Sequence, residues 1–336
     1  MKHVIVFGAT GTVGAYTCLQ LKEDGFAVTA AGGRKSDNGF FARHGIPYVS
    51  VDICSALSFD VLPQKDVYGI VQLAGMLPAR MEGYTPQRYI DINVTGMLNV
   101  LEYAVRCGAR RVVYSQSISD VDYLMGTTVP VPEDAPSRFP GNNDHSVYSI
   151  CKNAAADLLR HYSYKFGIKP FILRFPNIYL YHPNPYYYVN GELRMQGYRK
   201  MIYMAMAGRD IEVWGNPSRV RDIVYVKDCT QLISRCFLTE NATGGNYNVG
   251  TGVGVTLEDQ VKGIIEVFSP RDNPSRLLYS PEKPDAAQYI FDISNARKDL
   301  GYQPKYLYMD YLKDFKREME QQRFRLLWGP EITVTL

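Results

Sequence analysis

Short apolar runs alternate with longer amphipathic stretches through the first half of the chain. Residues 4–7, 27–31, 48–51, 69–73, 111–115 and 168–174 read as strands. Residues 13–24, about 86–107 and 147–166 carry helical spacing between them. Near-continuous apolar strands separated by helices predict a parallel sheet covered on both faces. Right-handed crossovers then give an α/β, doubly wound fold.

The second half changes character. Residues 178–197 are crowded with Tyr, Pro and Asn and show no period. Residues 208–226 read as strand-turn-strand around Trp214-Gly215-Asn216-Pro217, and 309–323 as a charged final helix. Gly301 and Pro304 stop a helix that ends at Leu300. This half is expected to be a smaller domain beside the sheet. The tail 331–336 alternates polar and apolar residues, as an edge strand would.

Composition narrows the class. At 336 residues the chain is long enough for two domains, and 46% hydrophobic with 21% charged is ordinary globular usage. A net charge of +3 offers no field for nucleic acid. Six scattered cysteines without a C-x-x-C pair read as reduced thiols in a cytoplasmic protein, not as a metal site or disulfide frame. No apolar run approaches the roughly 20 residues of a membrane helix, so no membrane partner is expected.

Chemistry enters at Gly8-Ala9-Thr10-Gly11-Thr12-Val13-Gly14. This turn follows the first strand and opens the first helix, where free N–H groups and the helix dipole suit a pyrophosphate. Gly8 permits the turn, Gly11 lets backbone approach phosphate, and Gly14 lets the helix sit close to the sheet. About 20 residues on, a site for NAD usually presents an acid to the ribose hydroxyls. That place holds Gly32, followed by Gly33-Arg34-Lys35-Ser36, and Asp37 lies too far along. Arg34 can grip a 2′-phosphate in a fork, which favours NADP; solvated loop charges and a pocket that accepts NAD are the alternative.

Tyr148 and Lys152 lie four residues apart on one predicted helix face. A free phenol titrates near 10, so acid/base work near neutrality needs a cation beside it. Tyr279 and Lys283 share that spacing, but Pro281 and Pro284 deny them a helix. Ser117 stands just past the strand at 111–115, at the carboxyl edge of the sheet where ligands bind. Its hydroxyl can bond the substrate oxygen that Tyr148 protonates or deprotonates.

With these motifs in order, the sequence resembles the extended short-chain dehydrogenase/reductase family of nucleotide-sugar epimerases, dehydratases and 4-reductases. Asp52-Ile53 is similar to the family's adenine-contacting acid after the third strand, and Leu73-Ala74-Gly75 to its L-A-A turn lining the cofactor. Asn93-Val94-Thr95-Gly96 with Leu98-Asn99-Val100-Leu101 is similar to its N-x-x-G-x-x-N-[LV]-L helix. Leu173-Arg174-Phe175-Pro176-Asn177-Ile178-Tyr179 resembles the motif that sets Pro176 by the nicotinamide and Asn177 by the substrate. Gly215 with Arg221-Asp222-Ile223-Val224-Tyr225-Val226-Lys227-Asp228 resembles a stretch whose Arg binds the nucleotide diphosphate. Tyr247-Asn248-Val249-Gly250 and Leu300-Gly301-Tyr302-x-Pro304 complete the match.

The resemblance implies a Rossmann-type doubly wound parallel sheet with a smaller C-terminal substrate domain. Residues 1–177 and about 219–250 would bind NAD(P), 178–218 and 251–330 the substrate, with 331–336 a tail. It implies Tyr148 as acid/base, Lys152 lowering its pKa and holding the nicotinamide ribose, and Ser117 positioning the oxygen. The two long helices would pair into a homodimer. Tyr186-Tyr187-Tyr188 would be a lid or pocket wall, or else a packed aromatic loop. Departures are the Leu180-Tyr181-His182-Pro183 insertion and Ile118-Ser119 in place of the Asp-Glu pair of dehydratases, which argues against dehydration.

The expected function is C4 epimerisation or 4-keto reduction of a nucleotide-diphosphate sugar. The alternatives are an NADP-dependent carbonyl reductase of a non-sugar ketone and a non-catalytic NADP-sensing protein.

Overall fold

The computed structural model describes residues 1–78, 83–142, 146–189 and 191–334. The first half runs β1 (His3–Phe7), α1 (Thr12–Glu23), β2 (Ala27–Gly32), α2 (Phe40–Arg43), β3 (Tyr48–Ser50) and β4 (Gly69–Gln72). Next come α3 (Pro86–Tyr89), a π-helical turn (Ile90–Thr95), α4 (Gly96–Cys107), β5 (Arg111–Ser117), α5 (Ser146–Phe166) and β6 (Lys169–Phe175). The second half opens with β7 (Ile178–Tyr179), β8 (Tyr186–Val189), β9 (Glu192–Met195), α6 (Gly197–Met206), β10 (Ile211–Trp214), β11 (Val220–Asp222) and β12 (Val224–Tyr225). It continues with α7 (Val226–Leu238), β13 (Gly245–Asn248), β14 (Gly254–Thr256), α8 (Leu257–Phe268), β15 (Leu277–Ser280), α9 (Ser294–Leu300), α10 (Tyr308–Gln321) and α11 (Arg325–Trp328).

Seven parallel strands in the order β13-β6-β5-β4-β1-β2-β3 form the central sheet. Burial on both faces explains why β1 reads as an unbroken apolar run. Val4 and Val6 pack with Ala15 and Cys18 of α1 and Cys229 and Ile233 of α7. Ile5 and Phe7 face the opposite layer, with Val100 and Leu101 of α4 and Ala155 and Leu159 of α5. The chain order reverses between β1 and β4, which makes their carboxyl ends the switch point where such sheets bind ligands.

The helix expected over 86–107 is present but changes period inside. The π-turn sets Asn93 inward, where its side chain accepts from the Met76 N–H at 2.8 Å and donates to the Met76 carbonyl at 3.1 Å. One residue inserted into the helical ladder is thus spent on anchoring the loop after β4.

Three expectations for the second half are corrected. Residues 208–226 contain three strands that do not pair with one another: β10 pairs in parallel with β15, β11 antiparallel with β14, and β12 in parallel with β7. The chain turns at Gly215 (φ +70°), pressed against Asp285, and sends β11 toward a different partner. Residues 178–197, without a period in sequence, hold β7 and the antiparallel β8–β9 hairpin. Tyr186-Tyr187-Tyr188 are the half-buried body of β8, not a packed aromatic loop. The tail forms no strand over 331–334; the Ile332 N–H bonds the Pro183 carbonyl at 3.1 Å, and 335–336 lie outside the described residues.

The tightest joint in the sheet is at Gly14, where a Cβ would overlap the Gly8 carbonyl oxygen. That obstacle is backbone and cannot rotate away. Gly14→Ala should therefore cost about 2–3 kcal/mol, in the range of overpacked cores. Gly33→Ala, with nothing within 4 Å, should be neutral. Paired thermal melts of the two variants check this; equal melting temperatures would contradict it.

Candidate functional site

The motif residues that follow β1, β3, β4, β5 and β6 share the carboxyl edge of the sheet, because parallel strands all end there, whereas Leu98-Asn99-Val100-Leu101 lie along α4. Gly8 takes φ +78° and a Cβ on it would meet the Ala74 backbone, so the chains leaving β1 and β4 part at contact distance. Gly11 caps α1 with no side-chain bond, and its exposed edge leaves the first amides of the helix, at Thr12 and Val13, without a capping acceptor. Thr10 is buried beneath. These orphan donors at a helix N-terminus fit a pyrophosphate, so the turn suits a dinucleotide. Leu73, Ala74 and Gly75 follow β4 on one side, and Asp52 and Ile53 follow β3 on the other. Ile53 packs where a Cβ on Gly96 would stand, and its carbonyl accepts from Asn99 at 2.8 Å.

The end of β2 carries no acid and little room for one. A Cβ on Gly32 would lie 3.2 Å from the Thr10 hydroxyl oxygen and 3.3 Å from that of Tyr48. Arg34 and Lys35 are exposed. Asp37 is turned away: its carboxylate accepts the Gly39 and Phe41 N–H groups at 3.2 and 2.6 Å and anchors α2.

Ser117, Tyr148 and Lys152 come together, the first from the end of β5 and the others from one face of α5. Ser117 faces the Tyr148 phenol and favours its ionised form, and the Ser117 hydroxyl oxygen accepts from the Ser119 N–H at 3.2 Å. Tyr89 meets the Tyr148 ring edge-on at 6.4 Å. Lys152, 5% exposed, holds its ammonium 4.3 Å above the Tyr114 ring, and the Tyr114 hydroxyl donates to the Lys152 carbonyl.

One expected effect is reversed in the free protein. Burial pushes the Tyr148 phenol up to about 12, although Ser117 opposes this. Burial also pulls Lys152 down to about 7. Among the described residues the ammonium faces an aromatic ring, a weaker partner than an anion, and burial outweighs that attraction.

Farther out, Pro176 is half-buried and Asn177 exposed, directly after β6. Arg221 donates from Nε to the Ala287 carbonyl at 3.2 Å and lies over the Tyr289 ring. Sequence reading missed Arg219, two residues earlier on the same side of β11, paired with Asp285 at 2.9 Å. The alternation Arg219-Val220-Arg221 was the available signal. It also missed Tyr114, which alternation along β5 places under α5, and Trp328, for which no local signal exists.

A model of the NAD dependent epimerase/dehydratase family matches residues 4–250. The chain belongs to that family. It is 27% identical over 310 residues to a UDP-glucose 4-epimerase of Mycolicibacterium smegmatis, covering 90% of this chain and 94% of that protein. It is 24% identical over 339 residues to UDP-glucuronate 4-epimerase 3 of Arabidopsis thaliana, covering 94% and 75%. Among solved structures, the UDP-glucose 4-epimerase of Thermotoga maritima with UDP-glucose aligns with a TM-score of 0.74 at 21% identity, over 95% of this chain and 99% of that one. UDP-glucuronic acid 4-epimerase of Bacillus cereus in complex with NAD aligns at 0.70 and 18%, over 96% and 99%. The shared fold is the seven-stranded Rossmann-type sheet with its flanking helices. Among the described residues, no helix is long and apolar enough to cross a membrane.

In this epimerase/dehydratase scaffold the buried lysine sets a pH dependence. The folded pKa of Lys152, about 7, lies below the unfolded value of 10.5, so the unfolded chain binds the extra proton between them. This group's contribution therefore makes stability rise with pH across that window, by up to about 1.4 kcal/mol per unit. Urea unfolding at pH 7.5 and 9 should show the gap between wild type and Lys152→Met narrowing or inverting in favour of wild type at the higher pH. A constant gap would contradict the assignment.

Proposed function

We propose that the protein is an NAD(P)-dependent oxidoreductase acting at C4 of a nucleotide-diphosphate sugar, in the first place a 4-epimerase. The observation that carries this is the approach of Ser117 to the Tyr148 phenol at the carboxyl edge of the sheet, with Lys152 one helical turn away. The UDP-sugar 4-epimerases among its relatives support the substrate class.

Bound dinucleotide supplies hydride transfer. The chain's own residues do the rest. Ser117 holds the sugar hydroxyl oxygen, and Tyr148 takes its proton on oxidation and returns it on reduction. Lys152, charged once it meets the ribose hydroxyls, makes that exchange accessible near neutral pH. Asn177 and Arg221 bind the sugar nucleotide, and Arg221 meets its diphosphate. Gly8, Thr10, Gly11, Thr12, Val13 and Gly14 cradle the pyrophosphate. Asp52, Ile53, Leu73, Ala74, Gly75, Asn93 and Pro176 line the rest of the cofactor. Residues 1–177 with about 219–250 form the cofactor domain, and 178–218 with 251–330 the substrate domain.

Gly32 and Arg34 favour NADP over NAD, and with it a second reading, a 4-keto reductase that exchanges NADPH each cycle. Heat-released cofactor, identified by mass spectrometry, separates the two. Stoichiometric NAD(H) fits in-place recycling by an epimerase and removes the NADP preference. An empty protein that binds NADPH better than NADH fits the reductase.

Exposed Leu98 and Val105 of α4 and Ile150 of α5 offer an apolar face for a homodimer. Sedimentation at the monomer mass across micromolar concentrations would contradict it.

Tyr148→Phe should lower turnover of a UDP-sugar by about 10²–10⁴-fold while dinucleotide affinity stays within a few-fold. Near-normal turnover in this variant would overturn the mechanism.

A further inference from the structure

The segment after α10 returns to the cofactor half of the molecule. Gln322 takes the left-handed conformation (φ 46°) and turns the chain back. Phe324 then packs against Tyr16 of α1, the rings tilted at 4.4 Å, and reaches Phe40 of α2 at 5.3 Å. Trp328 lies on Phe324 at 4.4 Å.

Three hydrogen bonds complete the attachment. The Trp328 indole N–H donates to the Thr10 carbonyl at 3.1 Å, inside the phosphate-binding turn. Arg34 donates from Nη1 to the Leu327 carbonyl at 2.9 Å. Asn38 donates from its side chain to the Leu326 carbonyl at 3.1 Å. The backbone of the β2 turn is pinned separately, because the Tyr48 hydroxyl donates to the Arg34 carbonyl at 2.6 Å.

We propose that the segment Phe324–Trp328 is a specificity element of the dinucleotide site, fixing the Arg34 guanidinium so that it discriminates a 2′-phosphate. A free arginine on an exposed turn spreads over many rotamers and pays entropy to grip an anion. Here one Nη is committed to a backbone carbonyl. The same segment is tied to Thr10, whose hydroxyl borders Gly32. The rest of the guanidinium is thereby held close to the position from which an acid would have read the ribose. Lys35 adds a second cation on the same turn.

This inference rests on the NADP preference proposed above, so the test separates the two. Dissociation constants for NADPH and NADH are measured by quenching and energy transfer from intrinsic fluorescence, and their ratio is compared across variants. Arg34→Leu should lower the preference for NADPH by about 10-fold or more, the scale of one charge-assisted bidentate contact. Trp328→Leu should lower it by about 3–10-fold, the scale of one hydrogen bond and its packing. Adding Trp328→Leu to Arg34→Leu should lower it no further.

A preference that Arg34→Leu lowers and Trp328→Leu leaves intact makes the segment merely structural and overturns the inference. A wild-type ratio near one, unmoved by Arg34→Leu, overturns the NADP reading itself. A melting temperature for each unliganded variant accompanies the ratios. Lost stability alone weakens both cofactors equally and leaves the ratio unchanged.

Discussion

The close approach of α1 to the carboxyl end of β1 governs the rest of the site. Gly14 meets the Gly8 carbonyl with no space for a methyl group, and Gly8 in turn presses on the backbone leaving β4. That double contact aims the uncapped N-terminus of α1 into the crevice between β1 and β4. It also fixes where β5 and β6 end, because their register runs outward from the same strands. Ser117, Pro176 and Asn177 are carried to the crevice by this geometry, not by contacts of their own.

Burial then sets the chemistry. Tyr148 and Lys152 are enclosed enough that burial raises the phenol's pKa and lowers the ammonium's. Their environment differs from that of a working acid/base pair by one missing anion or polar partner near the ammonium. A ligand that brings hydroxyls to Lys152 restores its charge, and the restored charge draws the phenol down. Affinity and reactivity are therefore coupled through one side chain. The π-turn contributes by holding the loop after β4 through Asn93, so the wall opposite Tyr148 does not drift.

The sheet was legible in sequence because parallel strands buried on both faces are continuous apolar runs. Six of its seven strands are read that way, and the seventh, β13, is short and polar enough to hide. The second half was less legible because its strands find partners far along the chain. β10 waits for β15 and β11 for β14, and neither partner leaves a local period. Ser117 was legible as a candidate for a topological reason, because residues at the ends of parallel strands share one edge, and Tyr148 with Lys152 for their spacing on one helix face. The electrostatics were not, since Lys152 facing Tyr114 rather than Tyr148 depends on burial. The bond of Arg34 to Leu327 spans 293 positions and has no sequence signature at all.

That long-range bond bears on whether the returning segment obstructs the cofactor. Trp328 takes the carbonyl of Thr10, whereas a pyrophosphate needs the amides of Thr12 and Val13. Arg34 gives one Nη to Leu327 and keeps four N–H donors. The segment and the dinucleotide thus use opposite polarities of the same turn and do not compete for a group. The segment walls the turn and leaves the amides of Thr12 and Val13 uncovered by its own hydrogen bonds. At its far end Ile332 is bonded to Pro183, and Glu331 accepts from Tyr203 at 2.9 Å. The wall is therefore anchored in the second half of the chain, and its position over Arg34 is set by the packing of both halves.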